Sequence, residues 1–146
     1  MKTAFVASKL LFTLLCGISA FPAVAVNAEP SLYQRLGGEA VMAKVVKQTV
    51  QQIADDPAVN QSLDKVNLKK LDAKIVVQIC AVAGGGCAYD GDDMKTAHKG
   101  LNINEREFYA LVEALRTALD ANGVAEREKN ELLRLLAPMK RDVISR

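Results

Sequence analysis

The chain has 146 residues, half of them hydrophobic and a quarter of them charged, with a formal charge of +2. This length is enough for one small domain. Both excess positive charges, Lys2 and Lys9, lie near the start, so residues 29–146 carry 17 basic and 17 acidic side chains. A neutral domain gives no electrostatic reason to expect nucleic acid or an anionic membrane as its partner.

Residues 1–28 have the pattern of a secretory signal peptide. An apolar run from Leu10 to Val26 follows the two lysines, and small residues lead to a cleavage site after Ala28, with Ala25 as the alternative. A membrane anchor is the competing interpretation, but glycine, serine and proline interrupt the run and no stop-transfer pattern follows it. We therefore expect an exported protein, periplasmic or secreted, whose residues 29–146 form one domain free of the membrane.

The first three helices are predicted from apolar residues that recur at spacings of three and four. Ser31 can cap a short helix over residues 32–36, which ends at two glycines. A second helix over residues 39–54 ends before a proline, because proline disfavours a helical residue in front of it. Asn67 can cap a third helix, whose apolar stripe stops at the three glycines of residues 84–86.

Two more helices complete an all-α prediction. After an irregular stretch, Asn104 and Glu107 have the spacing of a capping box, which indicates the start of a fourth helix. A last helix runs from about residue 125 to residue 144, and Pro138 should kink it. The sequence shows no strand pattern, internal repeat or low-complexity segment.

Two cysteines lie outside the signal segment, Cys80 and Cys87. An even number of cysteines in an exported protein predicts a disulfide. Closing so short a loop would stabilise the fold by about 2–3 kcal/mol in the chain-entropy model. Two free buried thiols are the alternative, which suits an oxidising compartment poorly.

His98 is the single histidine of the chain. A neutral imidazole is the usual protein ligand of haem iron, so the chain offers one candidate for that role. A lone histidine is more often a packed or solvated side chain than a ligand, so His98 needs support from its surroundings. If it is a ligand, no second histidine is left to act as a general base, which argues against hydrolytic chemistry.

Five short segments supply that support. They are Leu32-Tyr33-x-x-Leu36-Gly37-Gly38, Ala54-Asp55-Asp56-Pro57, Gly84-Gly85, Tyr89-x-Gly91-x-x-Met94-x-x-Ala97-His98-x-Gly100-x-x-Ile103 and Leu136-Ala137-Pro138. In this order, and over essentially all of residues 29–146, they resemble the group I truncated haemoglobins. The resemblance implies a truncated globin-like, two-over-two helical sandwich. It also implies haem b as the cofactor, with His98 as the proximal ligand of the iron.

The same resemblance implies which side chains would touch the haem. Met94 and Ala97 would pack near the porphyrin beside His98. Apolar residues from three helices and one loop would form the rest of the pocket: Val50, Leu63, Leu71, Ile75, Ile79, Phe108, Leu111 and Leu115. Ordinary core packing is the alternative for each of them, and one side chain can serve both purposes in so small a domain.

The distal side departs from the family pattern. Where the family usually places a tyrosine, a phenylalanine and a glutamine, this chain has Val50, Leu63 and Ile75. A hydrogen bond to oxygen held at the haem is worth about 1.5–3 kcal/mol. Its loss predicts oxygen retention that is weaker by roughly ten- to a hundredfold. CO and NO need little hydrogen bonding, so we expect them still to bind.

Lys74 lies where some truncated haemoglobins supply a sixth iron ligand. Burial lowers the pKa of a lysine toward the neutral amine, which can bind iron. The alternative is that Lys74 extends to solvent or pairs with a haem propionate. Ligation by Lys74 would give a six-coordinate haem that suits electron transfer or redox sensing with a redox partner protein.

Two functions follow from these observations. The first is reversible binding of O2, NO or CO at the haem iron. Any enzymatic activity would then be the redox chemistry of the haem, with no dedicated catalytic residue. The second is a haem-free or weakly haem-binding helical interaction module that keeps the globin fold. The motif around His98 favours the first, and the apolar distal residues favour the second.

Overall fold

The computed structural model describes residues 29–145. The signal-peptide prediction for residues 1–28, with both of its cleavage sites, lies outside this part of the chain. Within it every regular element is helical, which confirms the all-α prediction. No helix among these residues combines the length and the apolar character needed to cross a membrane.

Seven α-helices and two 3-10 turns make up the described part of the chain. The helices are α1 (Leu32–Arg35), α2 (Gly38–Ala54), α3 (Leu68–Val82), α4 (Met94–Ala97), α5 (Glu105–Ala121), α6 (Glu126–Leu136) and α7 (Lys140–Val143). The 3-10 turns are Gln61–Leu63, before α3, and Ala137–Met139, before α7. Helix α2 packs against both α3 and α5, so it lies at the centre of the arrangement.

Capping hydrogen bonds confirm the predicted helix starts. At α1, Ser31 and Gln34 bond to each other's backbone N–H through their side chains. At α3, the side chain of Asn67 accepts from a backbone N–H of the first turn at 3.0 Å. At α5, Asn104 and Glu107 form the predicted reciprocal pair. Each cap satisfies backbone donors that have no partner inside the helix, and this fixes where the helix begins.

One large apolar cluster joins five of the helices. Its side chains come from α1, α2, α3, α5 and α6. The fully buried large residues are Leu36, Met42, Val45, Val46, Cys80, Leu119 and Leu132. A smaller cluster of Ile53, Val59 and Ala114 lies at the C-terminal end of α2. The apolar stripe predicted for α2 is therefore its buried face.

The corner after α3 is held by a disulfide and by a close approach of the chain. Cys80 and Cys87 form the predicted disulfide, with their Cα atoms 5.6 Å apart. Tyr33 donates its backbone N–H to the Ala83 carbonyl at 2.9 Å, which joins α1 to the end of α3. A Cβ atom on Gly85 would lie 2.5 Å from the Tyr33 ring and 2.6 Å from Cys80 Sγ. Only glycine fits there without a shift of its neighbours.

Two short elements differ from the expectations. Helix α4 lies in the stretch predicted as irregular, because four residues are too few to show a helical period. The sequence predicts one kinked helix through Pro138, but α6 ends before it, a 3-10 turn follows, and the chain resumes as α7. Proline lacks a backbone N–H and its ring crowds the preceding turn, so the regular helix stops.

Lys129 on α6 is a buried cation that the sequence pattern does not reveal. Its Nζ lies 2.5 Å from Asp120 Oδ1 and 2.6 Å from Glu126 Oε2. The hydrogen bond to Asp120, and to a lesser extent the one to Glu126, raises the pKa of Lys129 above its ordinary value. Because a buried charge needs a partner, this cluster ties the end of α5 to the start of α6.

Candidate haem site

His98 is the residue around which the site is built. It follows the last turn of α4, and its half-buried ring places Nδ1 2.7 Å from the Met94 carbonyl oxygen. A carbonyl can only accept, so Nδ1 is the donor, and in the neutral imidazole Nε2 then keeps its lone pair. Among the described residues, no hydrogen-bond partner occupies Nε2. An imidazole with one nitrogen fixed by a carbonyl and the other free is the usual form of a metal-binding histidine.

Local hydrogen bonds fix the orientation of the His98 segment. Asp93 caps α4, accepting from the Thr96 backbone N–H and from the Thr96 hydroxyl, each at 2.9 Å. These bonds hold the pKa of the Asp93 carboxyl below its ordinary value. At the other end of the segment, the Leu101 backbone N–H donates to the His98 carbonyl at 3.2 Å. The imidazole is thus held by its own neighbours in the chain.

Helix α3 lies opposite this segment. Lys74 Nζ on α3 is 2.6 Å from Asp90 Oδ1, and Gln78 Nε2 is 3.2 Å from Met94 Sδ. Positions three and four apart share a face of a helix, so Leu71 and Ile75 lie on the same side of α3 as Lys74 and Gln78. Leu71 and Ile75 therefore lie on the side of α3 that carries the two contacts to the His98 segment, and both also pack against the large cluster.

The structure separates the predicted pocket residues into three groups. Val50, Ile79 and Leu115 are buried in the large cluster, with Leu71 and Ile75 half-buried against it. Leu63 packs on the smaller cluster. The residues in neither cluster are Met94 and Phe108, which are half-buried, and Ala97 and Leu111, which are exposed. Their haem contacts stay predictions that follow from the resemblance.

The donor chemistry at His98 fits a haem. Haem iron needs a strong donor from the protein, and His98 Nε2 is a ring nitrogen without a hydrogen-bond partner among the described residues. Leu111 is 39% exposed although it lies on the apolar side of α5. An apolar surface of this kind gains stability when an apolar group covers it.

Lys74 is not placed as an iron ligand in this structure. Its side chain is 53% exposed and pairs with the even more exposed Asp90. A hydrogen bond to Asp90 raises the pKa of Lys74, and the same bond lowers the pKa of Asp90. A charged ammonium has no lone pair for iron. The structure therefore gives Lys74 the exposed position of the alternative interpretation, and ligation by Lys74 stays an untested prediction.

Gln78 is the site residue that the sequence reasoning missed. The predicted apolar stripe of α3 passes over it, yet it lies three residues after Ile75 and seven after Leu71. That spacing puts it on the face that carries the distal residues. A check of polar residues at the same helical spacing would have found it.

Comparison with known proteins identifies the class. A family model described as bacterial-like globin matches residues 31–145. The chain is 31% identical over 118 residues to a group 1 truncated haemoglobin of Mycolicibacterium paratuberculosis, with 80% of this chain and 87% of that protein covered. It is 25% identical over 118 residues to the group 1 truncated haemoglobin of Tetrahymena thermophila, with 81% and 98% covered.

Solved structures agree with the sequence relatives. Truncated haemoglobin from Tetrahymena pyriformis in its Fe(III) form superposes with a TM-score of 0.75 at 25% identity, with 80% of this chain and 100% of that chain covered. The structure of Chlamydomonas reinhardtii THB1 is 29% identical with a TM-score of 0.66, with 80% of this chain and 100% of that chain covered. The chain belongs to the bacterial-like globin family. This membership confirms the truncated-globin fold and haem b as the cofactor.

Proposed function

We propose that this protein binds diatomic gases reversibly at a haem b whose iron is held by His98 Nε2. The observation that carries the proposal is the 2.7 Å contact between His98 Nδ1 and the Met94 carbonyl, which leaves Nε2 as the free ring nitrogen. His98 would hold the haem through Nε2, and the haem would supply an iron that binds O2, NO or CO. The role of the protein is to hold that iron and to choose among the gases.

The proximal residues orient the ligand. The Met94 carbonyl selects the Nδ1-protonated tautomer of His98 and limits rotation of the ring. A hydrogen bond of this kind also makes the other ring nitrogen a better donor. Because Asp93 caps the same helical turn, it supports the Met94 carbonyl and so acts on His98 indirectly.

The distal residues affect gas selection because their side chains do not donate a hydrogen bond to the bound gas. Val50 is 4% exposed and, like Ile75, has no hydrogen-bond donor in its side chain. The buried hydroxyl of Thr49 donates to the Val45 carbonyl of the same helix at 2.8 Å, so its proton is not available to a bound gas. An apolar wall of this kind disfavours oxygen, whose binding gains from a donor, relative to CO and NO.

Export to the periplasm or the exterior is part of the proposal. The disulfide between Cys80 and Cys87 supports it, because such bonds persist in oxidising compartments. The pattern of residues 1–28 supports it independently. Expression of the full chain, followed by fractionation and mass measurement of the processed form, tests this element and locates the cleavage site.

The function is tested by visible spectroscopy of the processed protein with added haem. We expect a strong Soret band in the wild type and a lost or shifted band in His98→Gly. Imidazole added to His98→Gly should restore the wild-type band, because it supplies the missing ligand without changing the fold. An identical band in both proteins would contradict His98 ligation. The absence of any specific band would favour the haem-free interaction module.

Lys74→Ala serves as the matched control on the distal side. If Lys74 stays paired with Asp90, its removal leaves the reduced-state bands unchanged and the gas site open. A change from six- to five-coordinate bands in Lys74→Ala would instead show that Lys74 binds the iron. Only that result would support the electron-transfer or redox-sensing role.

A further inference from the structure

Gln78 is the uncharged polar side chain of α3 that faces the His98 segment. It is half-buried, whereas Lys74, one turn earlier on the same face, is largely exposed. Its Nε2 lies 3.2 Å from Met94 Sδ and 3.8 Å from Met139 Sδ. The amide therefore lies between the distal helix and the turn that orients His98.

The contacts of this amide show which end points inward. A thioether sulfur can accept a hydrogen bond but has no proton to donate, so the NH2 end of Gln78 faces Met94. Sulfur is also a weak acceptor, and methionine side chains adjust easily to new neighbours. The two methionine sulfurs thus hold the NH2 group toward the His98 segment. Because they are weak acceptors, the NH2 group can leave them for a stronger acceptor.

Two other donors on the distal side, Thr49 and Lys74, have partners that occupy them. The Thr49 hydroxyl donates within α2. Lys74 pairs at the surface with Asp90. Val50 and Ile75 have taken the positions where the family usually places a tyrosine and a glutamine. Gln78 is the donor left on the described face of α3.

We propose that Gln78 is the distal hydrogen-bond donor of this protein, acting from Nε2 on a diatomic ligand bound opposite His98. The proposal rests on the function proposed above, since it needs a haem held by His98. Such a ligand carries partial negative charge on its outer atom, which is a stronger acceptor than a thioether. The donor would then lie one helical turn beyond its usual place, so gas selection would differ from that of an entirely apolar pocket.

The test compares wild type with Gln78→Leu, which keeps the approximate volume and removes the donor. Gln78→Met serves as a second variant that matches the shape of the side chain, in case leucine disturbs the fold. Gln52→Leu, on an exposed face of α2, is the matched control. The readouts are the CO stretching frequency of the ferrous CO complex in H2O and in D2O, and the O2 dissociation rate.

We expect the wild-type CO band to lie at lower frequency than that of either Gln78 variant and to shift in D2O, because the donated proton exchanges. Both variants should lose that shift, and O2 should dissociate about tenfold faster from them. Gln52→Leu should match the wild type. Unchanged bands and rates in both variants, with a Soret band that still depends on His98, would overturn this inference alone. A wild type without a His98-dependent Soret band would overturn the proposed function and this inference together.

Discussion

The proximal segment, residues 89–103, and the distal wall, formed by Val50, Leu71, Ile75 and Ile79, are held in place by different kinds of contact. In the proximal segment, polar groups a few residues apart fix one another, as Asp93 fixes α4 and Met94 fixes His98. The distal wall instead depends on apolar packing between long helices. The difference implies that the two regions respond to different kinds of substitution, although the contact between Gln78 and Met94 joins them.

The largest loss of stability is expected from a substitution that creates a cavity behind the distal wall. Met42 on α2 is completely buried. Truncation to alanine should lower the free energy of unfolding by about 2–5 kcal/mol, since both transfer and cavity terms are lost. Urea denaturation followed by circular dichroism measures this. Leu101→Ala, at a side chain of the proximal segment that is 39% exposed, is the control. Equal losses in the two variants would contradict the proposed difference between the sides.

The disulfide joins the two regions, and its removal should have the next largest effect. Cys80 is buried at the end of α3, and Cys87 leads into the loop before the proximal segment. Replacing both with alanine should cost about 2–3 kcal/mol of stability. Reductant should lower the stability of the wild type toward that of the double variant and leave the double variant unchanged. If reductant leaves the stability of the wild type unchanged, the disulfide does not contribute to it.

Asp93→Ala should affect the proximal segment and spare the distal wall. Loss of the cap loosens the turn that presents the Met94 carbonyl to His98, so haem should transfer to a scavenger globin roughly tenfold faster. Asp92→Ala, at the exposed neighbour of Asp93, is the control and should retain haem like the wild type.

The same cap gives a pH dependence. The pKa of Asp93 is lowered in the folded protein. Its contribution is therefore present above the unfolded pKa and is lost as the pH falls through the folded pKa. Haem transfer from the wild type should accelerate in acid more than transfer from Asp93→Ala, which lacks the group. Parallel acid profiles in the two proteins would show that Asp93 does not hold the turn.

The smallest effect is expected at the ion pair of Lys74 and Asp90, which bridges the two regions at the surface. Exposed pairs of this kind contribute little to stability and are screened by salt. Asp90→Asn should leave both the free energy of unfolding and the CO rebinding rate close to wild type. A clear change in CO rebinding would mean that the pair controls access to the site.

Features that depend on local chemistry could be predicted from the sequence. The caps at Ser31, Asn67 and Asn104 predict the helix starts correctly, because a cap satisfies donors only a few residues away. The resemblance around His98 likewise predicts the fold and the cofactor. The disulfide follows from the even cysteine count, and the structure confirms it.

Features that depend on partners distant in the chain could not be predicted. Lys129 has the charge of a surface residue, and its burial depends on Asp120 of another helix. Gln78 interrupts an apolar stripe, and its role depends on Met94, sixteen residues away. The pairing of Lys74 with Asp90 is another case, since the sequence leaves its position open between iron, propionate and solvent.

The central claim is that His98 Nε2 holds the haem iron, and a single histidine allows a direct measurement of it. Protein labelled with 15N-histidine reports on one residue of the chain. Resonance Raman spectra of the ferrous protein without added gas should show an iron–histidine stretching band that moves on labelling. His98→Gly restored by unlabelled imidazole should show a band that does not move. A wild-type band insensitive to the label, or no such band at all, would contradict the account.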